Sequence, residues 1–432
     1  MKSLAPDFNV VYRSADPQKL FCFSPAIIVR PNGRYIASLD LSDKYGKILV
    51  SDDKGETWRI VAEEPFFHAS LFEDGDTVYL LGCCPAGDGC DLVIMRSDDN
   101  GETWGKGHFI TAGERWHHCA INALYKDGYV YLAMEKIIKH KDERIRSEWF
   151  PNIMAPIVMR GNLGTDLTKR ENWLFSEEVR YKDVVDENSI DYIGTPFFNT
   201  VEGEIGQVRV RCTAEEYRHS YDLKNDREGI PFFTDATGWL ETNIVQITDP
   251  KHYWYDPSGK TVHLFMRTNL HRTGYCALVK AVERVRDGKE VIDVECETAP
   301  SGKRIVFLPM PGGQNKFYVK YDEVTKLYWL LSVQARDSMT RIEFLSDERF
   351  GIPSDERERL ALHFSKNMVD WCFAGIVDKT DSPKQARHYA SMDIDGEDLL
   401  VVSRSGDEKT ASAHDTNMIT FHRIKNFREL VY

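Results

Sequence analysis

SDDKGETW at residues 51–58 and SDDNGETW at residues 97–104 are the two stretches whose reading decides the fold. They stand 46 residues apart, and each follows an apolar run, KILV in the first case and LVIM in the second. Ser, Asp, Gly, Thr and Trp recur at the first, third, fifth, seventh and eighth positions. Each type has a physical task in a tight reversal of the chain. The Asp carboxylate accepts hydrogen bonds from turn amides and from the Ser hydroxyl. Gly permits the positive φ at which a hairpin turns back. Trp folds over the turn and packs between neighbouring sheets. A period in the forties, carried by short strands, is that of β-propeller blades.

Working outward, the chain continues as short apolar runs with two-residue alternation, separated by Gly, Asp and Asn turns. AIIVRPNGRYIASLDL, TVYLLGC, DLVIMRSDD, YVYLAMEK, TVHLFMRT, YWLLSVQ and LLVVSRS are examples, and long helical periodicity is scarce. Weaker echoes of the octapeptide are SKNMVDW at 365–371 and TDLTKRENW at 165–173. The expected fold is all-β: one β-propeller over residues 1–432, with four-stranded antiparallel blades. Six blades is the count, with five or seven left open. They are placed near 24–58, 66–104, 117–175, 239–285, 313–371 and 387–425. The charged, irregular stretch 176–235 is expected to be an insertion over the pocket. The final run MITFHRI is expected to pair with an N-terminal strand such as VVYR and so close the ring, because an unsealed blade exposes strand edges.

Composition narrows the partners. The formal net charge of -13 over 432 residues disfavours phosphate backbones and anionic lipid headgroups. No window approaches 18 uninterrupted apolar residues, so no membrane span is expected. The start, MKSLAPDFNVVYRSADPQKL, has no apolar core after its lysine and does not read as a signal peptide; the expected location is the cytoplasm. The nine cysteines lack metal-ligand spacing and read as reduced thiols. No metal and no cofactor are expected, and a carbohydrate is the expected partner.

The octapeptide Ser-x-Asp-x-Gly-x-Thr-Trp is similar to the Asp-box of the sialidase-like β-propellers. FSPAIIVRPNGRYIA, HHCAINALYKDGYVYLAMEK, GWLETNIVQI, PGGQNKFYVKYDEVTKLYWLL and HDTNMITFHRIKNFR resemble a bacterial exo-sialidase-like group. The resemblance implies a structural role for Asp53 and Asp99. It also implies a sialidase pattern of three arginines on a sugar carboxylate, a Tyr nucleophile assisted by Glu, and an Asp acid/base. The first clamp arginine belongs to an Arg-Ile-Pro motif before the first blade. Here CFSPAII puts Phe23 or Ser24 at that place, so one leg of the clamp is missing and a standard sialidase is not expected. Asp40 and Asp43 lie near where the acid/base would fall.

Inner strands of a propeller converge on its axis, so polar residues near blade starts meet in space. Four clusters qualify. RWHHCAINAL holds Arg115, His117 and His118; adjacent residues on a strand face opposite sides, so one histidine at most faces a given pocket as acid or base. Glu135 ends the next strand. WLETN places Glu241 and Asn243 within an apolar run, where a buried carboxylate needs a partner or a raised pKa; Arg267 is the expected partner, with His271 and Arg272 following. PGGQNKFYVKYD contributes Gln314, Asn315 and Lys316. The last cluster holds Arg387, His388, Tyr389, Arg404, His414, Asp415 and Asn417, with alternation placing Arg387 and Tyr389 on one face and His388 on the other.

From these the catalytic candidates are His118, Glu135, Glu241, His414 and Asp415. The substrate-binding candidates are His117, Asn243, Arg267, His271, Lys316, Arg387, Tyr389 and Arg404. The expected function is an exo-acting glycoside hydrolase for an acidic or deoxy sugar. β-Elimination from a uronic acid, with arginine neutralising the carboxylate, and a non-catalytic glycan-binding propeller are the alternatives.

Overall fold

The computed structural model describes residues 2–86, 89–117, 119–145, 151–185, 204–205, 238–268, 274–337, 340, 344–346, 349 and 356–432. Six antiparallel sheets form a ring, a six-bladed β-propeller. The innermost strands of blades 1, 2, 4, 5 and 6 are Cys22–Val29, Phe67–Asp74, Trp239–Val245, Tyr318–Asp322 and Ala386–Asp395. In blade 3 the inner edge is split into Trp116–His117 and Leu124–Lys126, both paired with Tyr129–Ile137.

The core explains why the strands read as nearly continuous apolar runs. Each sheet is covered on both faces, so the alternating residues of one strand belong to two different cores. In Tyr129–Ile137, Val130, Leu132 and Met134 pack with Phe72 and Tyr79 of blade 2. Tyr131 and Ala133 pack with Trp239 and Leu264 of blade 4. The four remaining gaps are filled likewise, one cluster for each pair of neighbouring blades. Ile36 and Leu80 meet between blades 1 and 2, Phe265 and Leu330 between 4 and 5, and Trp329 and Met392 between 5 and 6. Tyr35, Leu49, Leu400 and Phe421 seal the ring between blades 6 and 1.

The two octapeptides lie between third and fourth strands with nearly superposable bonding. Asp53 Oδ1 accepts from the Ser51 hydroxyl at 2.8 Å and from Thr57 N at 2.9 Å; Asp99 accepts the equivalent pair from Ser97 and Thr103, both at 2.8 Å. Gly55 and Gly101 take φ of +89° and +83°. The Thr57 and Ser51 bonds, led by the Thr57 hydroxyl, hold the Asp53 carboxyl down to about 2. In SKNMVDW, Asn367 Oδ1 stands in for the carboxylate, accepting from Val369 N and Asp370 N.

Asn9–Arg13 pairs with Met418–Ile424, so both ends of the chain share blade 6. Blade limits differ from expectation mainly on the outside. The outermost strands of blades 1, 2, 4 and 5 run to Glu64, Phe109, Glu295 and Lys379, beyond 58, 104, 285 and 371. These strands follow the turn; one face is wet, and a run such as RIVAEE carries polar residues that read as loop. Of the expected insertion, residues 176–185 are described and include a short helix, Tyr181–Val184, with Tyr181 edge-on to Trp239 at 5.3 Å. Residues 186–203 and 206–235 lie outside the described residues.

Candidate active site

Chemistry concentrates where inner strands begin and second strands end, the edge opposite the octapeptide turns. Four inner strands are broken there by the same device. Ser24, His68, Glu241 and Tyr389 have φ of +36°, +55°, +60° and +48°, and the pairing register shifts immediately after each. A non-glycine residue in the left-handed region costs about 1–3 kcal/mol and persists only where its surroundings enforce it. Each bulge re-aims one side chain and reverses the simple alternation of the strand.

The enforcing contacts are side-chain clasps across every gap between blades. Ser70 Oγ accepts from Ile121 N at 3.1 Å. Asn122 accepts from Ile244 N at 3.0 Å and donates to its carbonyl at 2.6 Å. Asn243 Oδ1 accepts from Val319 N at 2.9 Å. Lys316 Nζ donates to the Ala390 carbonyl, and Ser391 Oγ to the Pro25 carbonyl at 2.7 Å. Asp40 Oδ1 closes the circle by accepting from His68 N at 3.0 Å.

Blades 1 to 3 supply carboxylates and histidines. His68 Nδ1 lies 2.8 Å from Ser24 Oγ and 3.6 Å from Asp40 Oδ2. Burial pushes the Asp40 carboxyl up to about 7, against the opposing pull of its bond from His68 N. His117 Nδ1 lies 3.8 Å from Glu135 Oε2. The two imidazoles face each other with ring centres 5.4 Å apart. Glu135 is fully buried, and its other oxygen accepts from Thr242 N at 2.9 Å and from the Thr242 hydroxyl at 2.7 Å.

Blades 4 to 6 supply cations around one phenol. Arg267 Nη1 donates to the Tyr389 hydroxyl at 2.5 Å and faces Glu241 Oε1 at 3.4 Å, while its Nε donates to the Gln314 carbonyl at 3.0 Å. Arg357 and Arg404 stand 5.2 and 5.1 Å from the centre of the Tyr389 ring. Burial raises the Tyr389 pKa, with Arg267 pulling the other way. Burial and the neighbouring Arg357 draw Arg404 down to about 10, and burial lowers Lys316 to about 8. Glu241 Oε2 and both polar side-chain atoms of Gln314 are buried without a hydrogen-bond partner among the described residues. Buried polar atoms of this kind call for a partner such as water or a ligand.

The structure therefore brings Glu241, Arg267, Tyr389 and Arg404 together, with Glu135 joined to the blade of Glu241 through Thr242 and His117 beside Glu135. Several expectations are corrected. Arg387 does not share a face with Tyr389, because the bulge intervenes; its Nε donates to Asp378 at 2.6 Å between blades 5 and 6. Asn243 and Lys316 have their polar ends committed to clasps. His388 is fully buried against Arg357 Nη1 at 2.8 Å. His414 and Asp415 bond one another at 2.8 Å in an exposed loop; the His414 carbonyl accepts from Arg404, so this pair holds a neighbour of the pocket rather than lining its depth. Asn417 is tied to Asp407. His118, His271 and Arg272 lie outside the described residues. Sequence reasoning missed His68, Ser24 and Arg357 and undervalued Asp40. A usable signal was His68-Ala69-Ser70, a polar residue in an apolar run at a blade start, matched by Tyr389-Ala390-Ser391.

The fold is a six-bladed β-propeller, and a cluster of polar and charged side chains gathers where its inner strands begin. No family model and no curated protein matches the chain. Solved structures do. The intramolecular trans-sialidase from Ruminococcus gnavus aligns at TM-score 0.52 and 10% identity over 98% of both chains. The NanB sialidase from Streptococcus pneumoniae aligns at 0.51 and 10% identity over 97% of this chain and 70% of that one. An α-L-arabinanase from Penicillium chrysogenum aligns at 0.50 and 12% identity over 99% of both. The likeness concerns the fold.

Proposed function

We propose that this chain is an exo-acting glycoside hydrolase for an acidic sugar, with Tyr389 as nucleophile. The observation that carries the reading is the Tyr389 hydroxyl on Arg267 Nη1, which also faces Glu241, inside a ring completed by Arg357 and Arg404. The chain is acidic overall, yet this half of the pocket is cationic, which suits the carboxylate of a sugar. Because burial raises the Tyr389 pKa, the phenol attacks only as its proton passes to a base, and Glu241 shares its guanidinium. As the Tyr oxygen bonds to the anomeric carbon, the bond to the leaving oxygen breaks and that oxygen takes a proton from His68. A water then gives its proton back to His68, attacks the anomeric carbon and releases Tyr389, which recovers its proton from Glu241. The solved neighbours named as sialidases and an arabinanase support carbohydrate hydrolysis as the reaction class.

The test is release of free sugar from aryl glycosides of sialic and uronic acids. Turnover by the parent chain and a loss of at least about 10³-fold in Tyr389→Phe, with unchanged thermal unfolding, are expected. No release from any acidic glycoside, or equal rates in the variant, defeats the reading. The facing His68 and His117, each near a carboxylate, favour a second reading. In β-elimination one histidine removes the C5 proton of a uronide, a C4–C5 double bond forms, the C4–O bond breaks and the leaving oxygen takes a proton from the other, protonated histidine. A conjugated-alkene absorbance without reducing-end hydrolysis of simple aryl glycosides would select it.

A further inference from the structure

We propose a second carbohydrate site on the face that carries the octapeptide turns, in a cleft between blades 4 and 5, with a neutral oligosaccharide as its ligand. This face is opposite the axial pocket, because turns joining first to second and third to fourth strands gather at the edge remote from the inner-strand starts. The loop 246–260 between Trp239–Val245 and Thr261–Thr268 forms one wall. The turn 366–371 between Arg359–Ser365 and Cys372–Lys379 forms another. The hairpin of Glu297–Thr298 with Arg304–Ile305 supplies the third. The cleft encloses about 660 Å³, within the usual range for small-molecule sites.

The loop is held in place before any ligand arrives. His252 Nδ1 accepts from Trp254 N at 2.9 Å, which leaves Nε2–H to donate to the Asn367 carbonyl at 3.0 Å across the gap between blades. Trp254 stacks on His263 with centroids 5.5 Å apart and planes 27° apart, and His263 Nε2 lies 3.0 Å from Glu297. Between these fixed points Tyr253 stands 71% exposed, with its ring at the cleft. A large aromatic held open by a braced backbone offers a flat apolar platform at little entropic cost.

The lining chooses the ligand class. Asp249 and Asp370 are matched by Lys251 and Lys366, so the rim carries two anionic and two cationic groups and no net charge. An anionic sugar or a nucleic acid would want surplus cations, and a purely apolar ligand would leave four ionisable groups unused. A neutral sugar chain presents C–H faces to Tyr253, Pro300 and Ile305 and hydroxyls of both hydrogen-bonding senses to the rim. A site there, remote from the axis, would tether the protein to a polymer and raise the effective concentration of chain ends.

Titration calorimetry with neutral hexasaccharides derived from arabinan, xylan and β-glucan tests this, with tryptophan fluorescence as a second readout. Saturable binding of at least one is expected. Tyr253→Ala should weaken it at least tenfold, and Val369→Trp, which fills the cleft, should abolish it, while Tyr389→Phe leaves it intact. Absence of binding by all three, or binding indifferent to both cleft substitutions, overturns the proposal. Binding lost in Tyr389→Phe but kept in Tyr253→Ala would put the ligand at the axis and overturn it as well. Turnover at the axis is a separate measurement, so either site can fail without the other.

Discussion

Blades 1 and 2 and blades 4 and 6 meet the axis with the same backbone device and different chemistry. Ser24 and His68 on one side, Glu241 and Tyr389 on the other, all sit in left-handed bulges at the same height. The side chains they present differ: histidines near buried carboxylates in the first group, and a phenol ringed by guanidiniums with the carboxylate of Glu241 in the second. The scaffold thus fixes where a side chain is aimed, and residue type alone assigns its task. On this view the first group exchanges a proton with the leaving group and water, while the second holds charge, keeps the phenol's proton at Glu241 and bonds to the sugar.

The division can be broken at several points. Glu241→Gln should lower kcat by about 10³-fold with little change in KM, because the phenol loses its proton acceptor; a KM effect alone would make Glu241 a binding group. His68→Gln should cost about 10²-fold with a poor leaving group and recover with an activated aryl leaving group; equal losses on both would remove His68 from proton transfer. Arg404→Met should raise KM for an acidic substrate by about 30-fold, within the range of one charge-assisted hydrogen bond, and leave a neutral analogue within about threefold. Equal effects on both would show that Arg404 only supports packing on Phe23 and Tyr389.

The smallest effect concerns stability. Asp40 has its folded pKa raised to about 7, above the unfolded value near 3.9. The fold therefore favours the protonated acid, and stability falls as pH rises from about 4 to about 7. Asp40→Asn stays neutral and keeps an oxygen for His68 N. It should match the parent at pH 4 and exceed it at pH 8 by roughly 1–2 kcal/mol, read from urea unfolding at the two pH values. A constant difference would mean that Asp40 is ionised throughout.

The legible parts of the fold were those whose chemistry is local. Ser51, Asp53, Gly55, Thr57 and Trp58 make their bonds within eight residues, so the octapeptide announces its turn and the period announces the blades. Glu241 and Arg267 were legible as a pair because a carboxylate between Leu240 and an apolar run demands a partner. The shared face expected for Tyr389 and Arg387 fails because two-residue alternation breaks where a non-glycine residue turns left-handed, and the clasp partners of Ala390 and Ser391, which are Lys316 and Pro25, lie far away in sequence. Arg357 was invisible because it reaches Tyr389 from a segment of no clear periodicity. Asn243 looked like a ligand for sugar and proved to be a fastener, since an inner-strand amide serves either purpose equally well in one dimension.

Blade 6 is built from residues 9–13 and 386–424, and this imposes an order on assembly. During synthesis the first strand must wait, unpaired, while about four hundred residues emerge and five sheets form. Nearest-neighbour cores can grow stepwise from blade 1 onward, but the seam that includes Tyr35 and Phe421 cannot form before residue 421 has emerged. An interrupted chain would leave the edge of its last blade as an open template for other chains. Completion of the circle thus also gives the last unpaired strand, Asn9–Arg13, its partner.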